Sequence, residues 1–244
     1  GKRMLQHGTT HHGAQFLDPA RHGEELLYYH KTTPIGEFMD SSFVDNAQRI
    51  GMIGLGTGAL AATLRPHQEF MIFELDPDNR TIAEKYFTYL DLAHQKGVKI
   101  DYLFGDGRVR LREIPDDSLD ILIIDAFNSG SIPVHLLTTE AIEEYFRKLA
   151  PDGILVCHIS NRILELEPLL FSLARATNKY AAINSNAGSV HPDAVYTVWF
   201  AMTENKDSRD FLVKRQLWRQ SELERRELPK PWTDRYSNLL AVME

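Results

Sequence analysis

Cysteine is nearly absent: Cys157 is the only one in 244 residues, so no disulfide can close within the chain, and a reducing compartment is expected. Long apolar runs are missing as well. No stretch reaches the roughly 18 residues that a membrane-spanning helix needs, and no signal-peptide pattern opens the chain, so a cytoplasmic protein is expected. Blocks of basic residues are lacking too. With 27 Lys and Arg against 34 Asp and Glu the formal charge is -7, which argues against a nucleic-acid footprint built on clustered cations. Internal repeats and low-complexity segments do not occur. The 43% apolar content can build the core of one large α/β domain, with or without a small appendage, and small-molecule chemistry is the class these exclusions leave. Arg3-Met4-Leu5 already reads as strand, which leaves room for a missing hairpin or a membrane part upstream.

The stretch around which the chain is organised is Ile50-Gly-Met-Ile-Gly54-Leu-Gly56-Thr-Gly58-Ala-Leu60: an apolar run that breaks into three alternating glycines before a helix. That spacing lets backbone approach a ligand closely. Residues 70–75 form a second apolar run carrying Glu74, whose carboxylate can accept from both hydroxyls of a ribose. Downstream, strands alternate with helices of ten to fifteen residues, the signature of a parallel sheet covered on both faces. Strands are expected at 49–55, 69–75, 98–104, 119–124 and 154–158. A closing antiparallel pair is expected at 180–184 and 194–202. Helices are expected at 57–64, from Pro77 through Leu90, at 139–149 and at 164–177. Residues 1–48, rich in His and Gly, read as a small β-rich cap. Residues 49–205 form the ligand-binding body, and 206–244 a charged helix and tail that pack back on it.

In an open parallel sheet, ligands bind outside the carboxyl ends of the strands. Four such ends here carry chemistry: the Gly54, Gly56, Gly58 loop; Glu74 with Asp76; Asp106 with Gly107; and Asp125. A nicotinamide dinucleotide and S-adenosylmethionine compete for this pattern. The Gly105-Asp106-Gly107 turn favours the second, because an adenosine without pyrophosphate uses that position for its adenine amino group. The fold class expected is therefore α/β, a class I S-adenosylmethionine-dependent methyltransferase-type (Rossmann-like) sheet. No metal is expected: on a strand His11 and His12 point to opposite faces, and no Cys or helical His pair accompanies them. His135 and His158 read as packed or hydrogen-bonded residues rather than catalytic ones.

These residues also carry a resemblance. Leu122-Ile-Ile-Asp125-Ala-Phe-Asn128 is similar to the gate-loop motif of spermidine synthases and related aminopropyltransferases. Glu74-Leu75-Asp76 and Gly105-Asp106-Gly107 resemble the cosubstrate motifs of that family. The segments from His7 to Gln15 and from Glu24 to His30 resemble its glycine-glutamine strand and acidic-tyrosine stretch. Ser131 to Thr138 and Trp232-Thr-Asp234 look most like bacterial spermidine synthase-like domains, some of them fused to membrane segments.

The resemblance implies a polyamine-biosynthesis transferase that moves an aminopropyl-type group from S-adenosylmethionine or its decarboxylated form to an amine, releasing methylthioadenosine. It makes Asp125 the base, with Tyr28 beside it. Glu74 is on ribose, Asp106 on adenine, and Gln15 and Tyr28 line the channel. His30, Asn128 and Asp234 lie at the substrate end. The partner is a small-molecule amine or none, and a homodimer is a further expectation. Two positions depart from the family pattern, Asn128 for the second gate-loop aspartate and His30 for a glutamate. Both remove negative charge expected to hold a dicationic amine. A lyase, cyclase or methyltransferase acting on intact S-adenosylmethionine therefore stays open, as does a non-catalytic nucleoside-sensing domain.

Overall fold

The computed structural model describes residues 1–8, 10–126, 133–161, 164–186, 191–215, 218–220 and 228–243. The chain opens with an antiparallel hairpin, β1 (Lys2–His7) and β2 (Thr10–Phe16), which forms a two-stranded sheet of its own. Two short helices follow, α1 (Pro34–Met39) and α2 (Ser42–Asn46), capped by the side chains of Thr33 and Ser41. Their Ile35, Phe38, Met39 and Val44 are buried in the same core as the first central strand, so residues 1–48 contribute more than a β-rich cap.

The body is a seven-stranded sheet made of β3 (Arg49–Ile53), β4 (Glu69–Glu74), β5 (Lys99–Phe104), β6 (Leu119–Ile124), β7 (Leu149–His158), β8 (Tyr180–Ser185) and β9 (Val198–Thr203). Its order is β5-β4-β3-β6-β7-β9-β8, parallel except for β9, which runs antiparallel to both β7 and β8. Buried on both faces, the central strands read as continuous apolar runs. Along β6, Ile121 and Ile123 face one core while Leu122 and Ile124 face the other. The second face is covered by α6 (Thr139–Lys148) and α7 (Glu167–Ala176), which contribute Ala141, Ile142, Tyr145, Leu169, Leu170 and Leu173. Cys157 is fully buried on β7, and burial pushes its thiol pKa up, so it behaves as a small apolar residue. After β9 comes α8 (Lys206–Arg215), and the buried Trp218 and Trp232 hold the tail on the body.

Two helices differ from the expected pattern. The segment after the glycine loop is only a 3-10 turn, Ala59–Thr63, because Gly58 sits in the left-handed region and Leu64 is already extended. The periodic stretch after Pro77 breaks into α3 (Pro77–Tyr86) and α4 (Tyr89–Lys96). Gln15 of the hairpin occupies that break. Its Oε1 accepts the Thr88 N–H at 3.2 Å and its Nε2 donates to Thr88 Oγ1 at 2.8 Å. The remaining elements are α5 (Gly107–Leu111) after β5 and a 3-10 turn at Val134–Leu136. Among the described residues no helix is long and apolar enough to cross a membrane.

Candidate active site

The chain runs outward from β3 through β4 to β5 and then returns to β6 on the other side of β3, so the crevice opens where strand order reverses. There the carboxyl ends of β3, β4, β5 and β6 deliver Gly54 and Gly56, Glu74 and Asp76, Asp106 and Gly107, and Asp125 to one cleft of about 480 Å³. The hairpin closes it from above with Leu5, Gln6, His7 and His12, and Pro133, His135 and Leu136 close one side.

The glycine loop is shaped by what surrounds it. Gly54 has φ +98°, and a Cβ there would lie 2.3 Å from the carbonyl oxygen of Asp125; Gly56 has φ +56° and is equally close-packed against the His12 carbonyl. Only glycine fits either backbone. Gly54→Ala is expected to cost at least about 1–3 kcal/mol of stability from the strained backbone alone, and to displace Asp125. Thermal unfolding of the variant checks this, and an unchanged melting temperature with normal ligand binding would contradict it.

Glu74 is 5% exposed and holds the loop in place. Its Oε2 accepts from the Leu55 N–H at 2.9 Å, and its Oε1 accepts from the Asp76 N–H at 2.9 Å and from Asn79 Nδ2 at 3.0 Å. Asp76 caps α3 by accepting from the Asp78 N–H. Asp106 caps α5 through the Val109 N–H and meets His135 Nε2 at 2.7 Å. Burial raises the Asp106 pKa, but the Val109 N–H and His135 outweigh it and hold the carboxyl below the usual range.

Asp125 is 9% exposed at its side chain. Its Oδ2 accepts from the Tyr29 hydroxyl in a short hydrogen bond, and its Oδ1 lies 2.8 Å from His158 Nδ1. Burial works against ionisation, yet the charge and hydrogen bond of His158, the Tyr29 hydroxyl and His12 together hold the pKa below the ordinary carboxylate value. Burial likewise keeps the Tyr28 and Tyr29 hydroxyls protonated. His12, in the cleft wall, is held towards its neutral form by burial, against the pull of Asp125.

Several expected site residues lie elsewhere. Tyr29, not Tyr28, reaches Asp125; the Tyr28 ring stacks on His158 at 4.9 Å. The two rings lie 4.5 Å apart, and the Tyr-Tyr pair in sequence does not show which hydroxyl turns to the carboxylate. Gln15 is 2% exposed and is spent on the break between α3 and α4, outside the cleft lining. Gly58 also lies outside that lining, with its Cα against Leu90. His30 stacks on His191 at 4.3 Å and hydrogen-bonds Thr32, away from the cleft. Asp234 pairs with Arg108 and Thr138 and lines a different hollow, where it anchors the tail. Asn128 lies outside the described residues. Sequence reasoning gave His158 no part in the site, although a polar residue ending a central strand beside Asp125 was the signal for it. Among the described residues no cluster of His, Cys, Asp or Glu could hold a metal ion.

Strand order, the antiparallel β9 and the acids at the ends of β4 and β5 define the class I S-adenosylmethionine-dependent methyltransferase-type fold. A probable spermidine synthase from Corynebacterium glutamicum superposes with TM-score 0.53 at 20% identity, covering 70% of this chain and 62% of that one. A spermidine synthase in complex with the transition state analogue AdoDATO gives TM-score 0.51 at 16% identity, with 79% and 65% covered. In sequence, the polyamine aminopropyltransferase of Vibrio vulnificus is 36% identical over 121 residues, 48% of this chain and 39% of that protein. The chain spans about half the length, or less, of the curated relatives it matches most strongly. No family model matches. In sequence the chain is thus similar to polyamine aminopropyltransferases, and in fold to spermidine synthases.

Proposed function

We propose that the chain carries out aminopropyl transfer, with decarboxylated S-adenosylmethionine as cosubstrate and a small amine as acceptor. The observation that carries this reading is Asp125: a buried carboxylate, held towards its ionised form, lining the same cleft as Glu74 and Asp106. An amine is protonated at pH 7 and cannot attack until a base takes its proton. In the proposed step one ammonium proton passes to Asp125, and the freed lone pair attacks the carbon next to the sulfonium. The C–N bond forms, the C–S bond breaks, and its electron pair stays on sulfur in neutral methylthioadenosine. Glu74 would take the ribose hydroxyls and Asp106 the adenine amino group, each with an oxygen lone pair beyond those the protein uses. Likeness to relatives named polyamine aminopropyltransferase supports the choice of reaction over lyase or cyclase chemistry. The charge argument for intact S-adenosylmethionine also weakens, since His30 does not line the cleft. Mass spectrometry after incubation with each cosubstrate, with and without a panel of amines, tests the reading. Methylthioadenosine that appears without any amine would point to a lyase instead.

Glu74→Ala is expected to weaken nucleoside binding by a few kcal/mol, about the value of lost hydrogen bonds to a charged group. It also leaves the Leu55 and Asp76 N–H groups without their acceptor. Calorimetry with methylthioadenosine is the check, and undiminished affinity would remove Glu74 from the site.

A further inference from the structure

Asp125 faces the cleft on one side, and on the other it meets an imidazole that the proposed chemistry does not yet use. His158 ends β7, its side chain is 12% exposed, and Asp125 is its ion-pair partner among the described residues. Its ring stacks nearly parallel on Trp199 at 4.6 Å and on Tyr28 at 4.9 Å. Its Nε2 lies 2.9 Å from both Ser160 Oγ and Thr197 Oγ1, and Ser160 Oγ in turn accepts the Val198 N–H. Both nitrogens are therefore engaged and two aromatic rings bracket the imidazole, so its orientation is fixed. An ionised carboxylate can only accept, so the hydrogen between Asp125 and His158 must sit on Nδ1. Nε2 then accepts from a hydroxyl when the ring is neutral and donates to one when it is protonated, and the Ser160–Thr197 pair can serve either state.

We propose that His158 is the positioning residue of Asp125: its Nδ1–H fixes the carboxylate towards the cleft, where an incoming ammonium meets it. A carboxylate held in one orientation in a poorly solvated site attracts an ammonium more strongly than one free to turn away. The other titratable groups facing the pair are His12 on β2 and Tyr28 and Tyr29 after the hairpin, with Glu74 acting on His12 from β4. Burial raises the pKa of both tyrosines and lowers that of His12, which favours the uncharged form of each. The kinetic part of this inference rests on the reading of Asp125 as the group that meets the amine.

The test has two arms. In ligand-free protein, nitrogen NMR of the histidine ring should show His158 protonated at Nδ1 with a slowly exchanging proton, and Asp125→Asn should abolish that signal. An Nδ1 without hydrogen in the unmodified protein, or a signal indifferent to Asp125→Asn, overturns the proposal whatever the enzyme does. In turnover assays, His158→Phe keeps the stacking and removes both hydrogen bonds, whereas His158→Gln restores one donor. The Phe variant should lose about 10- to 100-fold in kcat/KM for the amine, the equivalent of one hydrogen bond to a charged group, with the Gln variant between it and the parent. Affinity for methylthioadenosine should not change. Equal losses in amine and nucleoside binding, tracking a lower melting temperature, would mean that His158 only supports the fold. If neither parent nor variants release methylthioadenosine under any condition, the aminopropyl-transfer reading fails, and the NMR arm still decides the positioning.

Discussion

Asp125→Asn is expected to lower turnover by about 10²- to 10⁴-fold, the usual contribution of a positioned general base, while nucleoside affinity stays within a few fold. Asparagine keeps the shape of the side chain and can still accept from Tyr29, but it cannot take a proton from an ammonium. Its amide also presents a donor to one of the two partners that Asp125 now accepts from. Glu74 and Asp106, proposed above to meet the nucleoside, lie at the end of β4 and at the start of α5 and keep their partners. Methylthioadenosine release measured against calorimetric binding separates the two effects. Near-normal product formation would mean that Asp125 is structural or that the reaction needs no base.

A large stability effect should come from Arg108→Ala, about 1.5–3 kcal/mol, the value of hydrogen bonds to charged groups, because a buried carboxylate loses one of its two close guanidinium partners. The Arg108 side chain is 8% exposed. It donates to Glu144 Oε2 at 3.1 Å and, with two nitrogens, to both carboxylate oxygens of Asp234 at 2.7 and 2.9 Å. Glu144 is 5% exposed at its side chain, and without Arg108 its cationic partners among the described residues are Arg112 and the distant Arg147. The same network predicts an acid limb. Burial raises the Glu144 pKa, but Arg112 and Arg108 more than reverse this and leave it lowered from its ordinary 4.5. A depressed carboxylate contributes stability above its unfolded value, and that contribution is lost as pH falls through the folded one. Chemical denaturation at neutral pH, and again below pH 4.5, checks both statements. Parent and variant should differ less at the acid end.

The sheet was legible because its strands follow simple rules. Apolar runs ending in Gly54, Glu74, Asp106 and Asp125 mark strand ends whatever lies beyond them, and the closing pair at 180–184 and 194–202 corresponds to β8 and β9 with only the start of the second displaced. The helix break at Thr88 was not legible, since Ile82, Ala83, Tyr86, Phe87 and Leu90 keep a helical period across it; the partner that stabilises the break, Gln15, comes from 73 residues away. The same limit explains the site. Tyr28 and Tyr29 are equivalent as letters, and only the packing of Tyr28 on His158 turns Tyr29 towards Asp125. Asp234 and Arg108, 126 positions apart, give no sign in sequence that they will meet. Motif spacing reports what one strand delivers, whereas pairing across strands depends on the whole fold.

The side chain lodged between α3 and α4 has an implication for how such chains can diverge or be recombined. A hairpin that supplies the partner for an interruption in another element is not a free module. Were it exchanged for the hairpin of a relative lacking glutamine at this place, the Thr88 N–H and hydroxyl would lose their side-chain partner, whereas the Tyr89 hydroxyl, which meets the backbone carbonyls of Ala14 and Glu24, would keep acceptors. Viable chimeras should therefore carry residues 15 and 88 together, so that the hairpin over the crevice and the helix break beside it are inherited as one piece.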